Sequence, residues 1–261
     1  MIARVPITVA ILDTGIDPAR IDPDRLVPGI DLTMEGEPSD GVDPHGHGTA
    51  MAGTVIASSS ARVMPVRIIC ERGYLRDDSL IETAFEWILG RGDIDVVCAA
   101  FADHGHSTTD APHRDSVLRR HVLALSGAGV PVVAPAGNRY ALNRLSHPQG
   151  MAWPAILREV VSVGALGPDG VSLSHHTQRV HESIDTGCRT TIFAPPGPPG
   201  GTSGAAAVVA GRLAELRALD RAASVAELVE RLLEDGVRAG DESGLRWPAL
   251  RVRPAPAGTS P

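Results

Sequence analysis

Short apolar runs alternate with amphipathic helical patterns along nearly all of the 261-residue chain. Because strands buried on both faces read as continuous apolar runs, this alternation predicts an α/β fold with a parallel sheet covered by helices. The predicted strands are residues 5–12, 62–70, 95–101, 131–138, 158–166 and 189–196. The predicted helices are residues 80–92, 116–129, 204–219 and 225–236.

The pattern fits one domain over residues 1–252, followed by a Pro-, Gly- and Ser-rich tail over residues 253–261 that we expect to be disordered. Residues 106–115 and 167–187 carry no regular period, and we expect them to be exposed loops. Three cysteines cannot all pair, and none lies in a Cys-x-x-Cys motif, so they are expected to be reduced and buried.

Charge and hydropathy exclude several classes of function. The formal net charge is −7 and no basic face is evident, which argues against nucleic acid or an anionic membrane as a partner. No apolar run is long enough to span a bilayer. The N-terminus lacks the features of a signal peptide, so a cytoplasmic location is expected.

Two polar residues stand where the sites of α/β proteins gather. Asp13 ends the first predicted strand, although a carboxylate there also fits a turn or a helix cap. His47 begins an Ala-, Gly- and Met-rich helix in DPHGHGTAMAGTVIAS (43–58), where a lone histidine also fits a cap. His45 raises the possibility of a metal, but His-x-His without a second ligand pair matches zinc sites poorly.

Two more features follow later in the chain. PVVAPAGN ends a predicted strand in Gly-Asn, which is often only a turn. GGTSGAAAVVAG (200–211) mounts Ser203 between glycines at the mouth of a helix of small residues, where it also fits a helix cap. It is not Gly-x-Ser-x-Gly, because the residue two after Ser203 is Ala205, so an α/β-hydrolase elbow is not supported.

The four features occur in the order Asp, His, Asn, Ser, and in this the sequence resembles the subtilisin-like serine peptidases (subtilases). The resemblance rests on VAILDTGID around Asp13, HGTAMAGTV around His47, VVAPAGN around Asn138 and GTSGAAAVVAG around Ser203. FEWILGRGDIDVVCAAF, WPAILREVVSVGAL and GLRWPALRV extend it to roughly residues 5–252. It implies three layers, with a mostly parallel central sheet and helices on both faces.

The resemblance also implies a serine endopeptidase. Ser203 would attack the peptide carbonyl, His47 would take and return the proton, and Asp13 would orient the imidazole. The Asn138 amide and backbone N–H groups at the start of the last long helix would stabilise the oxyanion.

An extended peptide or protein substrate would pair with the strand around residues 99–102, as in β-strand addition. The residues expected to bind it are Ala99, Ala100, Phe101, Ala102, Asp103, Ala136 and Ala152. Asp103, where relatives commonly have glycine, is a candidate for binding a basic side chain, although a solvated loop carboxylate is the more ordinary interpretation. A regulatory partner protein is a further candidate for binding.

The sequence departs from the family at several points. Ala207 stands where proline is usual, and Pro198–Gly201 is a shortened link before the Gly-Thr-Ser turn. Residues 53–61 alone separate the His47 helix from the next strand, so the common calcium-binding loop is missing and no metal or other cofactor is expected. We expect no propeptide before residue 1, and we expect a compact peptidase that processes a specific peptide or partner protein.

Two alternatives use the same residues. A peptide macrocyclase or transpeptidase would have the same site but would need to keep water from the acyl-enzyme, and no inserted cap is evident. A catalytically silent pseudo-peptidase would bind peptides without cleavage, which the four intact catalytic residue types argue against.

Overall fold

The computed structural model describes residues 6–35 and 42–251, and their strands form one nine-stranded sheet. The strands are β1 (Thr8–Asp13), β2 (Ile30–Asp31), β3 (Arg62–Arg67), β4 (Val96–Ala99), β5 (Val132–Pro135), β6 (Val161–Ala165), β7 (Ile192–Ala194), β8 (Val237–Gly240) and β9 (Arg246–Ala249). Their order is β2-β3-β1-β4-β5-β6-β7-β9-β8, and every pairing is parallel except β8 with β9.

Helices cover both faces of the sheet. They are α1 (His47–Ser58), α2 (Ser79–Arg91), α3 (Val117–Gly127), α4 (Tyr140–Asn143), α5 (Gly201–Leu219) and α6 (Val225–Glu234). Because successive strand residues point to opposite faces, Val9 and Ile11 join the core under α1, α5 and α6, whereas Ala10 and Leu12 join the core under α2 and α3. The prediction of a three-layer, mostly parallel α/β fold is confirmed.

The central helix α5 is buried along almost its whole length. A Cβ atom at Gly204 would lie 1.9 Å from the Gly197 carbonyl oxygen, and one at Gly211 would lie 2.1 Å from the Ser58 hydroxyl. Glycine at both points therefore lets α5 pack directly against α1 and the preceding loop. None of the helices among the described residues is long and apolar enough to span a membrane.

The structure corrects several sequence expectations. The predicted strands are longer than the observed ones by two to five residues, because the apolar runs continue past the last paired residue. Ile68, Cys70 and Ala100, for example, follow β3 and β4 and are buried outside the strands. The short strand β2, the helix α4 and the antiparallel strand β8 were not predicted, since none has a distinctive period. Residue 5, residue 252 and the predicted tail 253–261 lie outside the described residues.

The predicted loops are less exposed than expected. Within residues 167–187, Thr177, Gln178, Arg179 and Val180 are buried, and Asp110 is buried within residues 106–115. The polar side chains among them are hydrogen-bonded inside the protein, and hydropathy alone cannot distinguish that from solvation. All three cysteines are free and buried, as predicted.

Candidate active site

Asp13 and His47 meet at the carboxyl end of β1. The Asp13 carboxylate is completely buried, and its two oxygens lie 2.8 and 2.7 Å from Nδ1 of His47. Oδ1 also accepts a 2.7 Å hydrogen bond from the Thr14 N–H. A carboxylate at Nδ1 favours the tautomer that carries its proton there, which leaves Nε2 as the acceptor.

The electrostatic surroundings favour a basic imidazole. Burial lowers the pKa of His47, but the hydrogen bond and charge of Asp13, together with the charge of Asp43, outweigh it. The net effect is a pKa above the ordinary 6.5 of histidine. His47 is partly accessible, with 24% of its side chain exposed, so it can reach a substrate.

Asp43 is a second buried carboxylate that sequence reasoning missed. Its Oδ1 accepts from the Thr14 hydroxyl at 2.8 Å and the Gly46 N–H at 2.7 Å, and its Oδ2 accepts from the Thr49 N–H at 2.8 Å and hydroxyl at 2.6 Å. These bonds outweigh the effect of burial and lower the pKa of Asp43. Because they tie the end of β1 to the start of α1, Asp43 fixes where Asp13 and His47 meet. The sequence feature that could have indicated this role is the position of Asp43, four residues before His47.

Two glycines flank His47 for steric reasons. Gly46 has φ +91°, which disfavours a side chain there. A Cβ atom at Gly48 would lie 2.2 Å from the Gly15 carbonyl oxygen and 3.0 Å from Cβ of Asp13. Glycine at this point lets α1 approach the end of β1 closely enough for the Asp13–His47 contact.

Ser203 and Asn138 meet at the start of α5. Ser203 is the third residue of the helix and is half-buried, and its hydroxyl has no hydrogen-bond partner within the described part of the chain. The Asn138 Oδ1 accepts from the Thr202 N–H at 3.0 Å and from its hydroxyl at 3.2 Å. The amide nitrogen of Asn138 is thereby left as a donor. The N–H of Ser203 lies in the first helical turn, whose N–H groups lack intrahelical acceptors.

The packing of α1 on α5 brings the two pairs to the same end of the molecule. The Thr54 hydroxyl donates to the Pro198 carbonyl at 3.2 Å, just before α5, and the N–H of Ser60, just after α1, donates to Glu215 at 2.6 Å. The two helices therefore run in the same direction. Asp13 and Asn138 lie at the carboxyl ends of the parallel strands β1 and β5, and so at one edge of the sheet. No hydrogen bond joins His47 to Ser203 in this structure, a contact that often forms only with substrate bound.

A cleft opens beside His47, and some of the predicted substrate residues line it. A cavity of about 210 Å³ is bounded by Asp13, His47, Ala100, Phe101 and Ala102, among others. A larger groove of about 1420 Å³ lies between α6, the β8–β9 hairpin and residues 180–191, and no predicted site residue lines it.

The other predicted substrate residues do not line this cavity. Ala99, Ala136 and Ala152 are fully buried, and their direct contact with substrate stays a prediction. Asp103 is exposed, but its Oδ1 accepts from the N–H groups of Gly105 and Trp153, each at 2.8 Å. Asp103 thus ties two loops together, and binding of a basic substrate side chain stays a prediction.

Metal binding was also considered. Among residues 6–35 and 42–251, no three or more His, Cys, Asp or Glu side chains are grouped so as to hold a metal ion. His45 and His47 have ring centroids 6.4 Å apart, and His47 Nδ1 is occupied by Asp13. The expectation of no calcium stays a prediction, because calcium also takes backbone carbonyl ligands.

A parallel sheet that brings a buried Asp–His pair and a serine at a helix N-terminus to one edge is the arrangement of serine hydrolases with the chain order Asp, His, Ser. The chain belongs to the Subtilase family, whose sequence model matches residues 6–245. The resemblance described above is confirmed.

Individual relatives and structures agree with this assignment. The chain is 25% identical to an intracellular serine protease of Paenibacillus polymyxa over 86% of this chain and 70% of that protein. It is 28% identical to subtilisin BL of Lederbergia lenta over 61% of this chain, a match that spans only 55% of that protein.

Two solved structures share the fold. A cold adapted subtilisin-like serine proteinase superposes with a TM-score of 0.73 at 22% identity, over 94% of this chain and 88% of the other. A lanthipeptide protease superposes with a TM-score of 0.70 at 21% identity, over 90% and 81%. At these identities the likeness concerns the fold alone.

Proposed function

We propose that this protein is a serine endopeptidase that hydrolyses peptide bonds with Asp13, His47 and Ser203, and that Asn138 donates to the oxyanion. The observation that carries the proposal is the fully buried Asp13 carboxylate, 2.7 Å from Nδ1 of a partly exposed histidine. A buried carboxylate in this contact holds the imidazole as a base and stabilises the imidazolium that forms during reaction.

The proposed chemistry begins at Ser203. Its oxygen bonds to the peptide carbonyl carbon while its proton passes to Nε2 of His47, and the carbonyl π electrons move onto oxygen. His47 then gives the proton to the leaving amine as the C–N bond breaks. Water repeats the sequence on the acyl-enzyme, and the acid product leaves with Ser203 restored.

The negative oxygen needs donors that are already oriented. The Thr202 N–H occupies Oδ1 of Asn138, and this supports Nδ2 as the donor. The Ser203 N–H at the helix N-terminus is the second candidate donor, and the helix dipole adds favourable potential there. Fixed donors stabilise charge without reorganisation during the reaction.

The proposed substrate is a specific peptide or partner protein. The fold is shared with a protein described as a lanthipeptide protease, and a processing role is part of this proposal. The similarity to a protein named intracellular serine protease supports action inside the cell. The narrow cavity, bounded by Phe101 and by His45, supports selection among substrates more than broad digestion.

The decisive experiment is active-site labelling. A fluorophosphonate probe should label Ser203 in the wild-type protein, and Ser203→Ala should lose both labelling and peptide cleavage while it stays folded. Ser243→Ala, at an exposed loop serine, is the matched control and should keep both. Equal cleavage by wild type and Ser203→Ala would overturn the proposal. Product mass separates hydrolysis, which adds one water, from cyclisation, which adds none.

A further inference from the structure

Gln178 lies in the segment that was expected to be an exposed loop, yet it is completely buried. It belongs to residues 177–180, which we call the support segment. This segment is anchored on both sides of Gln178. The Thr177 hydroxyl accepts from the Ala165 N–H at 3.0 Å, and Arg179 exchanges backbone hydrogen bonds of 2.9 and 2.7 Å with Gly150.

The buried side chain of Arg179 strengthens this anchor. Its guanidinium bonds both Glu242 oxygens at 2.9 Å and lies over the Tyr140 ring, 3.6 Å from the centroid. The support segment is therefore fixed to the β8–β9 hairpin and to the helix that follows Asn138. A side chain mounted on it has little freedom to move.

From this mount Gln178 holds the chain on both sides of Asn138. Its backbone N–H donates to the Gly137 carbonyl at 2.9 Å, and its Oε1 accepts from the Arg139 N–H at 3.2 Å. A Cβ atom at Gly137 would lie 2.2 Å from the same Oε1. Gly137 has φ +107°, a conformation in which side chains are strained. The backbone of Asn138 is thus bracketed by one buried glutamine.

The other end of the amide contacts the loop that follows Ala102, a residue of the cleft. Nε2 of Gln178 donates to the Gly105 carbonyl at 2.8 Å and to Nδ1 of His106 at 3.0 Å. His106 donates in turn from Nε2 to the His147 carbonyl at 2.6 Å. Since that carbonyl can only accept, the ring Nδ1 is the acceptor for Gln178. Both amide atoms are therefore satisfied in one orientation only.

We infer that Gln178 is a positioning residue that sets the oxyanion donor Asn138 and couples it to the substrate-side loop at residues 102–107. The inference rests on the proposed function. Gln178 acts through Gly137, Arg139 and Gly105, and not by contact with substrate. A shift of the donor by a fraction of an ångström weakens its bond to the transition-state oxygen and lowers kcat.

The test compares the two glutamines of the chain. Gln178→Met keeps the length of the side chain but can neither accept from Arg139 nor donate to Gly105. Gln149→Met is the matched control, because Gln149 also accepts from one backbone N–H, that of His181 at 2.8 Å. We expect kcat to fall about tenfold to a hundredfold in Gln178→Met, and to stay close to wild type in Gln149→Met.

A double-mutant cycle separates positioning from a general loss of structure. If Gln178 acts through Asn138, adding Gln178→Met to Asn138→Ala should change kcat little further. If the fold-losses in kcat of the two single variants multiply in the double variant, the two residues act independently and the inference is overturned. Hydrogen exchange of the Arg139 amide gives a second readout that needs no activity, and it should be faster in Gln178→Met than in wild type.

The remaining outcomes are also decisive. Gln178→Glu keeps an acceptor for Arg139 but cannot donate to Gly105, and it replaces Gln178→Met in the kinetic measurements and the double-mutant cycle if the methionine variant does not fold. If neither variant folds, Gln178 is required for the fold and the positioning role is wrong. Absence of wild-type cleavage and of Ser203 labelling would overturn the proposed function, whereas unchanged exchange at Arg139 in folded Gln178→Met would overturn this inference alone.

Discussion

The Asp13–His47 pair is positioned by a buried carboxylate, that of Asp43, which lies close to His47 in the chain. Asn138, beside Ser203, is positioned by neutral groups that lie 40 or more residues further along the chain. In what we call the acid–base half, Asp43 binds both Thr14 and Thr49 across the Asp13–His47 contact. In the oxyanion half, Thr202 and Gln178 orient Asn138 through amide and backbone groups. The two halves are joined where α1 packs on α5 and through the pairing of β1, β4 and β5.

This difference predicts two kinds of sensitivity. The acid–base half depends on ionisation, because its carboxylates act on the imidazole through charge as well as hydrogen bonds. The oxyanion half depends on distances, because neutral donors contribute only when they are aimed at the developing charge. Substitutions can therefore separate a response to pH from a response to geometry.

The largest effect is expected from Asp13→Asn. The amide cannot stabilise an imidazolium, and its NH₂ group can present a donor to Nδ1 and favour the wrong tautomer, so kcat should fall on the order of 10⁴-fold. Asp22→Asn, at an exposed carboxylate that bonds only the Asp24 N–H, is the control and should match wild type. Steady-state kinetics on one peptide substrate measures both. A loss below tenfold would mean that the buried carboxylate is not part of the chemistry.

Asn138→Ala tests the oxyanion half and should cost less. Removing one oxyanion donor lowers kcat by about 10² to 10³, a range known for subtilisin itself. KM should change little, because the donor acts mainly on the transition state. The control is Asn143→Ala, since the side chain of Asn143 is partly exposed and donates to the Arg139 carbonyl, while its backbone bonds are kept in alanine. A rise in KM with unchanged kcat would contradict the assignment.

The same contrast explains what could be predicted from the sequence. Asp13, His47 and Ser203 stand in local motifs at strand ends and helix starts, and the apolar runs of β1 and β5 have a clear pattern. Gln178 could not be found this way, because its partners Gly105 and Gly137 become neighbours only after β4, β5 and β6 pair. Its polar surroundings have the composition of a solvated loop. The burial of Gln178 and its hydrogen bonds are visible only in the three-dimensional structure.

Gly204→Ala tests whether glycine is required where α5 packs closely against the loop before it. Its Cβ atom would lie 1.9 Å from the Gly197 carbonyl oxygen, so α5 must shift, and we expect a loss of about 1–3 kcal/mol in the free energy of unfolding. Gly53→Ala in α1 meets nothing within 4 Å and should stabilise by about 0.5–1 kcal/mol. Chemical denaturation measures both. An unchanged free energy of unfolding in Gly204→Ala would contradict the prediction and would show that α5 can shift at little cost.

The smallest effect is expected from Asp43→Asn, and it appears in the pH profile. Asp43 helps to raise the pKa of His47, and the base must be neutral, so the acid limb of wild-type kcat/KM should lie above the ordinary 6.5. Without the negative charge the imidazolium is less stable, the pKa of His47 falls, and the acid limb should move to lower pH. The raised pKa also stabilises the folded state below pH 6.5, a contribution lost as pH rises through the folded pKa.

Asp241→Asn is the matched control for this shift. Asp241 is also buried and caps a turn, accepting from the Ser243 hydroxyl at 2.7 Å and from Nε1 of Trp247 at 3.1 Å. It lies among β8, β9 and Arg179, away from His47, so its substitution should leave the acid limb unchanged. Both variants lose a buried acceptor and should lose stability, which separates that loss from the electrostatic effect. An acid limb that moves equally in both variants would show that Asp43 acts on the fold and not on the charge of His47.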